Sequence, residues 1–87
     1  MLHGQLTIAA TGVAEPIGTG IANKPLTIRA VLTNSGIVYL GDLTVTTANG
    51  FELVKGNEID FKYVGDISKL YVIGTQNDKI CYTTTEE

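Results

Sequence analysis

The sequence predicts an all-β protein: an antiparallel β-sandwich, jelly-roll-like, with seven or eight short strands. Glycine and short polar clusters interrupt the chain about every 8–12 residues, which is the spacing typical of sandwiches and barrels. Several segments between these breaks alternate apolar and polar residues, as half-buried strands do. No segment shows a sustained helical period. A closed barrel is compatible with the same pattern.

The N-terminal quarter of the chain predicts two weaker strands. Residues 2–10 alternate apolar and polar side chains, with Leu6 and Ile8 facing inward. In the next segment Pro16 lacks an N–H donor, which confines a strand there to the edge of a sheet. We expect residues 1–24 to form an N-terminal arm or an edge strand.

The middle of the chain carries the clearest strand. Residues 26–33 alternate so that every second side chain from Leu26 to Leu32 faces the core. The Asn-Ser-Gly sequence at 34–36 has the chemistry of a hairpin loop. Residues 37–40 are apolar on both faces, which predicts a central strand.

The next segments predict a second hairpin. Residues 43–47 are rich in β-branched side chains, and residues 51–54 follow as a returning strand. Between them, Asn49-Gly50 predicts a type I′ turn. Residues 58–64 alternate again and predict a further strand.

The C-terminal part is predicted to end in a last hairpin. Residues 65–69 form a corner that includes one turn of 3₁₀ helix, and residues 70–75 form an apolar strand. Residues 76–78 turn the chain into a final strand at 79–84, and the tail at 84–87 is expected to fray. The core predicted from the best strands consists of Leu26, Ile28, Ala30, Leu32, Ile59, Phe61, Val72 and either Tyr63 or Ile73.

The composition predicts a single β domain, residues 1–87, because so short a chain cannot divide its apolar surface between two cores. Cys81 is the only cysteine, so no disulfide can form within the chain. His3 and Cys81 alone cannot supply the four ligands of a structural zinc site. With 44% hydrophobic and 17% charged residues, the chain is expected to gain stability as a homo-oligomer instead.

The charge pattern argues against nucleic acid as a partner. The net charge is −3, and the six basic residues are scattered singly, without the cluster typical of a nucleic-acid binder. No apolar run approaches about 18 residues, so no membrane-spanning segment is predicted. Residues 1–5 lack the features of a secretory signal, so we expect synthesis in a cytoplasm.

Two features superficially match binding or metal sites. The sequence Gly18-Thr19-Gly20 is glycine-rich, but neither a helix nor a Gly-Lys-Ser/Thr sequence follows, so we interpret it as a loop between strands. His3 has no histidine, glutamate or cysteine at ligand spacing, and we interpret it as a terminal surface residue.

The aspartates and the cysteine are interpreted structurally as well. Asp60 lies at an outward strand position, whereas Asp42 and Asp66 lie in turns, where aspartate bonds to its own backbone. Cys81 is expected to be buried and inert, although Lys79 shares its strand face. The predicted set of catalytic, cofactor-binding and metal-ligating residues is therefore empty, and the protein is predicted not to be an enzyme.

Five strand-and-turn motifs follow one another from Pro25 to about Tyr82. They are residues 26–30, residues 34–41, the Asn-Gly-Phe-Glu-Leu sequence at 49–53, a turn at Gly56 before Ile59-Asp60, and residues 66–74.

In this order the motifs resemble a family of small β-domain virion proteins of tailed bacteriophages; residues 1–24 lie outside the resemblance. The resemblance implies no catalytic residues. It implies a capsid decoration, or cement, protein that binds the major capsid protein of the assembled shell or another virion protein. The expected location is the virion, after synthesis in the host cytoplasm.

Two points stay open at this stage. A trimer is the first expectation for the homo-oligomer, because threefold capsid positions suit such proteins, with pentamers and hexamers as alternatives. The alternative function is a receptor- or glycan-binding module of a phage tail or fibre. The four tyrosines would suit a sugar-binding platform, but each lies in or beside a predicted strand, so we expect them in the core or at a subunit interface: Tyr39, Tyr63, Tyr71 and Tyr82.

Overall fold

A computed structural model describes residues 1–84, which fold into ten β-strands and one turn of 3₁₀ helix, with no α-helix among these residues. The all-β prediction is confirmed, but the predicted seven or eight strands were too few. Three of the ten strands contain only two residues each, and so short a segment has no alternation to detect; two of these three, Ile21–Ala22 and Gly65–Asp66, pair with each other. The elements are β1 (His3–Thr7), β2 (Glu15–Pro16), β3 (Ile21–Ala22), β4 (Leu26–Ala30), β5 (Val38–Gly41), β6 (Phe51–Leu53), β7 (Glu58–Phe61), β8 (Gly65–Asp66), the 3₁₀ turn (Ile67–Lys69), β9 (Tyr71–Ile73) and β10 (Lys79–Thr84).

The strands form two four-stranded sheets and one small ribbon. The first sheet has the order β1-β10-β4-β7, the second has the order β2-β9-β5-β6, and β3 pairs with β8. Every pairing is antiparallel. Ile28 and Ile80 from the first sheet and Val38 and Val72 from the second are fully buried in one apolar cluster, so the core lies between the sheets.

The pairings are nested along the chain. β1 pairs with β10, β2 with β9, β3 with β8, β4 with β7, and β5 with β6. The chain is therefore one long hairpin whose apex is the loop 42–50. Two further pairings, β10 with β4 and β9 with β5, join the halves of this hairpin side by side into sheets.

The predicted core is correct in its centre and wrong at Leu32, and of the two alternatives Tyr63 and Ile73 it is Ile73 that is buried. Leu32 is 64% exposed because β4 ends at Ala30, and Tyr63 is 70% exposed because β7 ends at Phe61. Ile59 and Phe61 are only half-buried, since β7 is the edge strand of its sheet. The predicted core residues that are buried are Leu26, Ile28, Ala30, Val72 and Ile73.

Two predicted hairpins are instead crossings between the sheets. Residues 34–36 connect β4 in the first sheet to β5 in the second, and residues 76–78 connect β9 back to β10. Asn77 adopts a left-handed conformation there, with φ +76°. The predicted corner at 65–69 is confirmed, with its 3₁₀ turn, and so are the central position of β5 and the edge position of Pro16.

The apex loop 42–50 replaces a predicted strand and turn. Residues 43–47 form no strand, and Asn49 and Gly50 lack the positive φ of a type I′ turn, because hydrogen bonds within the loop hold another conformation. The Asn49 side chain accepts from the Thr46 N–H at 2.7 Å and donates to the Thr44 carbonyl oxygen at 3.3 Å. The loop is thus an ordered structure of its own.

This loop folds back over the outer side of β5. Val45 is 5% exposed, and a Cβ built on Gly41 would lie 2.8 Å from its Cγ2. A Cβ on Gly50 would lie 2.6 Å from the Tyr39 Cβ, so both positions need glycine for this approach. Part of the outer apolar face of β5 is therefore covered by the chain itself rather than left for a neighbouring subunit.

The two ends of the described segment, residues 1–84, meet in the first sheet. The Leu2 N–H donates to the Thr84 Oγ1 at 3.0 Å, and the Thr84 N–H donates to the Leu2 carbonyl oxygen at 2.8 Å. Thr84 is buried and ends β10, and the rest of the tail predicted to fray lies outside the described residues.

Candidate binding surfaces

The outer face of the first sheet carries the side chains that are best suited to react or to bind a ligand. The register aligns Gln5, Cys81, Arg29 and Glu58 in one row across the four strands. His3 begins the adjacent row and lines the same open depression, which has a volume of about 600 Å³. The fold thus brings the only histidine and the only cysteine to one surface.

Cys81 was predicted to be buried, and that prediction was wrong. It is half-buried, because its position in β10 points to the outer face between β1 and β4. Its thiol lies 3.8 Å from the Arg29 carbonyl oxygen as a weak donor. The described residues include no group of three or more His, Cys, Asp or Glu that could hold a metal ion.

Three of the four aspartates, Asp42, Asp60 and Asp66, each accept a hydrogen bond from a neighbouring hydroxyl group. Asp42 accepts hydrogen bonds from the Thr44 hydroxyl at 2.6 Å and the Thr44 N–H at 2.8 Å, which lower the pKa of its carboxyl. Asp66 caps the 3₁₀ turn in the same manner through Ser68, with the same effect on its pKa. Asp60 accepts from the Thr27 hydroxyl of β4 at 2.6 Å. These hydrogen bonds give each of the three aspartates a structural role in a turn or between paired strands.

The four tyrosines do not share one surface. Tyr82 packs against the core beneath Gly4 and Gly18, where an added Cβ would collide with its hydroxyl. Tyr63 is exposed beyond the end of β7. The other two lie on the outer side of adjacent strands of the second sheet, where the register brings Tyr71 opposite Gly41 and Tyr39 opposite Ile73.

An apolar groove opens where the edge strands β6 and β7 lie side by side. Its volume is about 240 Å³, and its wall is almost entirely apolar. Phe51 at its rim is 57% exposed. The lining residues are Leu40, Gly41, Phe51, Ile59, Phe61 and Leu70.

The opposite edge of the sandwich is built differently. There the Tyr82 ring lies against β1 and the loop that follows β2, at the two close approaches of Gly4 and Gly18.

The groove was missed in the sequence because its wall comes from four separate segments. The available signal was Phe51 directly after a turn, with Ile59 and Phe61 at alternate positions of the next strand.

No family profile, curated protein or solved structure matches this chain. Among residues 1–84, no helix has the length and apolarity needed to cross a membrane.

Proposed function

We propose that the protein is a non-enzymatic structural component of a tailed-bacteriophage particle, a decoration protein that binds the assembled capsid. The observation that carries the proposal is the apolar groove between β6 and β7, a surface suited to another protein. Phe51 and Phe61, which line it, belong to segments at or beside those that resemble small virion proteins. The polar side chains, by contrast, are bonded within turns, as Asp42 and Asp66 are, or lie on the open outer face of the first sheet.

For the architecture we propose a jelly roll. A jelly roll arises when one long antiparallel hairpin is rolled into two packed sheets. The nested pairing supports it: without the short ribbon of β3 and β8, eight strands remain, four in each sheet. This fold occurs in many capsid proteins as well as in lectins, so it accommodates both a decoration protein and a glycan-binding module.

We also propose that the protein is a homo-oligomer, with a trimer as the first candidate. The exposed apolar surface that motivates the proposed oligomer lies at the groove and at isolated side chains, rather than on the outer face of β5. Phe51, Leu43 and Leu32 are each more than half exposed. A chain this small gains stability when such surface is covered.

The test is co-sedimentation of the purified protein with empty capsid shells of the phage that encodes it. We expect saturable binding to assembled shells and no binding to unassembled capsid subunits, because the proposed site exists only in the lattice. Absence of binding to shells, with the protein folded, would refute the decoration role.

A receptor- or glycan-binding module of a tail or fibre is the second candidate. One observation favours it: Tyr71 borders a depression of about 390 Å³ that also contains the polar side chains Asp42, Ser68 and Lys69. Aromatic rings beside hydrogen-bonding groups suit a sugar. A glycan array decides this point, and a positive signal lost in Tyr71→Ala but retained in Tyr63→Ala would support it.

A further inference from the structure

We propose that β1 of one copy pairs antiparallel with β7 of a second copy, so that the first sheet continues from subunit to subunit. This inference specifies the interface of the proposed homo-oligomer and rests on that self-association, but not on capsid binding. Four observations carry it: the free backbone groups of both strands, their directions, their charges and the groove beside β7.

The free edge of β1 is defined by its hydrogen bonds to the β10 side. The Ile8 N–H and the Leu2 carbonyl oxygen both bond in that direction. Backbone groups alternate in an antiparallel pair, so the even-numbered residues of this segment face β10 and the odd-numbered ones face away. The residues that present unpaired N–H and C=O groups along this edge are His3, Gln5 and Thr7.

The free edge of β7 follows from the same alternation. The Ala30 N–H donates to the Asn57 carbonyl oxygen at 3.0 Å. Together with the register, this bond shows which residues of β7 direct their backbone groups toward β4. Glu58 and Asp60 therefore direct their N–H and C=O groups away from β4, toward solvent. Both outer strands of the first sheet thus carry unpaired backbone groups at every second residue.

The strand directions allow the sheet to continue. Three antiparallel steps separate β1 from β7, so these two strands run in opposite directions within one subunit. A second copy in the same orientation therefore brings its β1 antiparallel to β7 of the first. Such a head-to-tail contact closes into a ring when successive copies are rotated appropriately.

The charges favour this pairing over pairing of β7 with itself. Two β7 strands would place Glu58 and Asp60 opposite carboxylates, and like charges directly opposite each other destabilise a sheet. The free edge of β1 carries no acidic residue. When Gln5 pairs with Glu58 of the second copy, His3 stands opposite Asp60, where its imidazole N–H can donate to the carboxylate.

The groove supplies an apolar contact on the other face of the same pair. Ile59 and Phe61 of β7 point toward the core side and are half-buried, as is Leu6 of β1. In the register given above, Leu2 of one copy stands opposite Phe61 of the next, and Leu6 lies diagonally across from Ile59. Apolar surface that each copy leaves open at its edge is then removed from water.

The test uses a charge placed on the free edge of β1. Gln5→Glu puts a carboxylate against Glu58 or Asp60 of the neighbour, whereas Gln5→Lys puts an ammonium there. We expect Gln5→Glu to weaken association about two- to fivefold per interface and Gln5→Lys to preserve it. Sedimentation velocity at micromolar concentration measures the shift toward the 9.3 kDa monomer.

A rescue variant identifies the partner strand. Within one chain Gln5 and Glu58 stand on the two outermost strands, about 14 Å apart with β10 and β4 between them. If Glu58→Lys restores the oligomer in the Gln5→Glu background, the two new charges must therefore attract each other between chains. Failure of this rescue would exclude the β1–β7 pairing.

Controls separate charge from misfolding. Thr47→Glu adds the same charge to the exposed apex loop and should leave association unchanged. Should Gln5→Glu not fold, Thr7→Glu serves instead, because Lys79 stands opposite Thr7 in β10 and compensates the new charge within the chain. In hydrogen exchange, the amides of Glu58 and Asp60 should be protected in the oligomer. A monomeric wild-type protein, or loss of association in Thr47→Glu as well, would overturn the proposal.

Discussion

At the scale of single residues, the carboxylate of Asp78 links the two crossings between the sheets. It is 5% exposed and accepts hydrogen bonds from the Ser35 N–H at 2.8 Å, the Ser35 hydroxyl at 3.1 Å and the Gly36 N–H at 2.9 Å. The Asn34 side chain adds two bonds to the backbone of Lys79. The polar residues of this connection thus position both crossings.

Replacement of Asp78 by asparagine removes part of this link. An amide NH₂ cannot accept, so one or more of the donors on Ser35 and Gly36 loses its partner in a buried place. We expect Asp78→Asn to lower the free energy of unfolding by about 1–3 kcal/mol. Asp42→Asn, at an exposed turn, is the matched control and should cost less. Equal losses in urea titrations of the two variants would contradict this role of Asp78.

The same carboxylate makes stability depend on pH. Burial raises the pKa of Asp78, but the hydrogen bonds from Ser35 and Gly36 outweigh it and hold the pKa below its ordinary value. A carboxyl with a lowered folded pKa stabilises the protein fully above its unfolded pKa, about 3.9, and loses that contribution as pH falls through the folded pKa. Asp42 and Asp66 act in the same direction.

Thermal melts between pH 5 and about pH 2 measure this effect. The wild type should lose stability progressively below about pH 4, and Asp78→Asn should lose less over the same interval because one of the three titrating groups is gone. Parallel curves for the two proteins would show that Asp78 does not contribute.

At the scale of elements, β4 shows how far alternation can be trusted. Apolar side chains recur at every second position from Leu26 through Leu32, but the strand ends at Ala30 and Leu32 turns outward. We therefore expect Ile28→Ala to cost about 2–5 kcal/mol and Leu32→Ala to stay within about 0.5 kcal/mol of the wild type. Chemical denaturation compares them directly, and a large loss in Leu32→Ala would mean that β4 is longer.

The apex loop is an element in its own right, anchored by Val45. Val45→Ala removes two methyl groups from a buried contact with Gly41 and Gly50, and we expect a loss of about 1.5–3 kcal/mol. Leu43→Ala lies in the same loop, but Leu43 is 70% exposed, so that variant should change stability by less than about 0.5 kcal/mol. Similar melting temperatures for both variants would argue that the loop does not dock.

At the scale of the whole molecule, the sequence predicts which face of a strand is apolar but not which strand lies beside it. The turn residues at 76–78 place the final strand at 79–84, which matches β10, and the two-sided apolar pattern at 37–40 predicts a central strand. The turn chemistry at 34–36 predicts a hairpin wrongly, because a crossing between sheets uses the same residue types. Phe51, Ile59 and Phe61 were visible as apolar residues, but their meeting in one groove depends on which strands become neighbours.

The nested pairing has a consequence for biosynthesis. Of the described strands, β1 is synthesised before all the others, but its only partner among them is β10, which is synthesised after all the others. The bonds between Leu2 and Thr84 span 82 positions of sequence, so closing them carries a large loop-entropy cost, and folding should be slow for so small a protein. Until β10 emerges, both edges of β1 are unpaired. A nascent chain that stalls before residue 79 would therefore be the most aggregation-prone form of this protein.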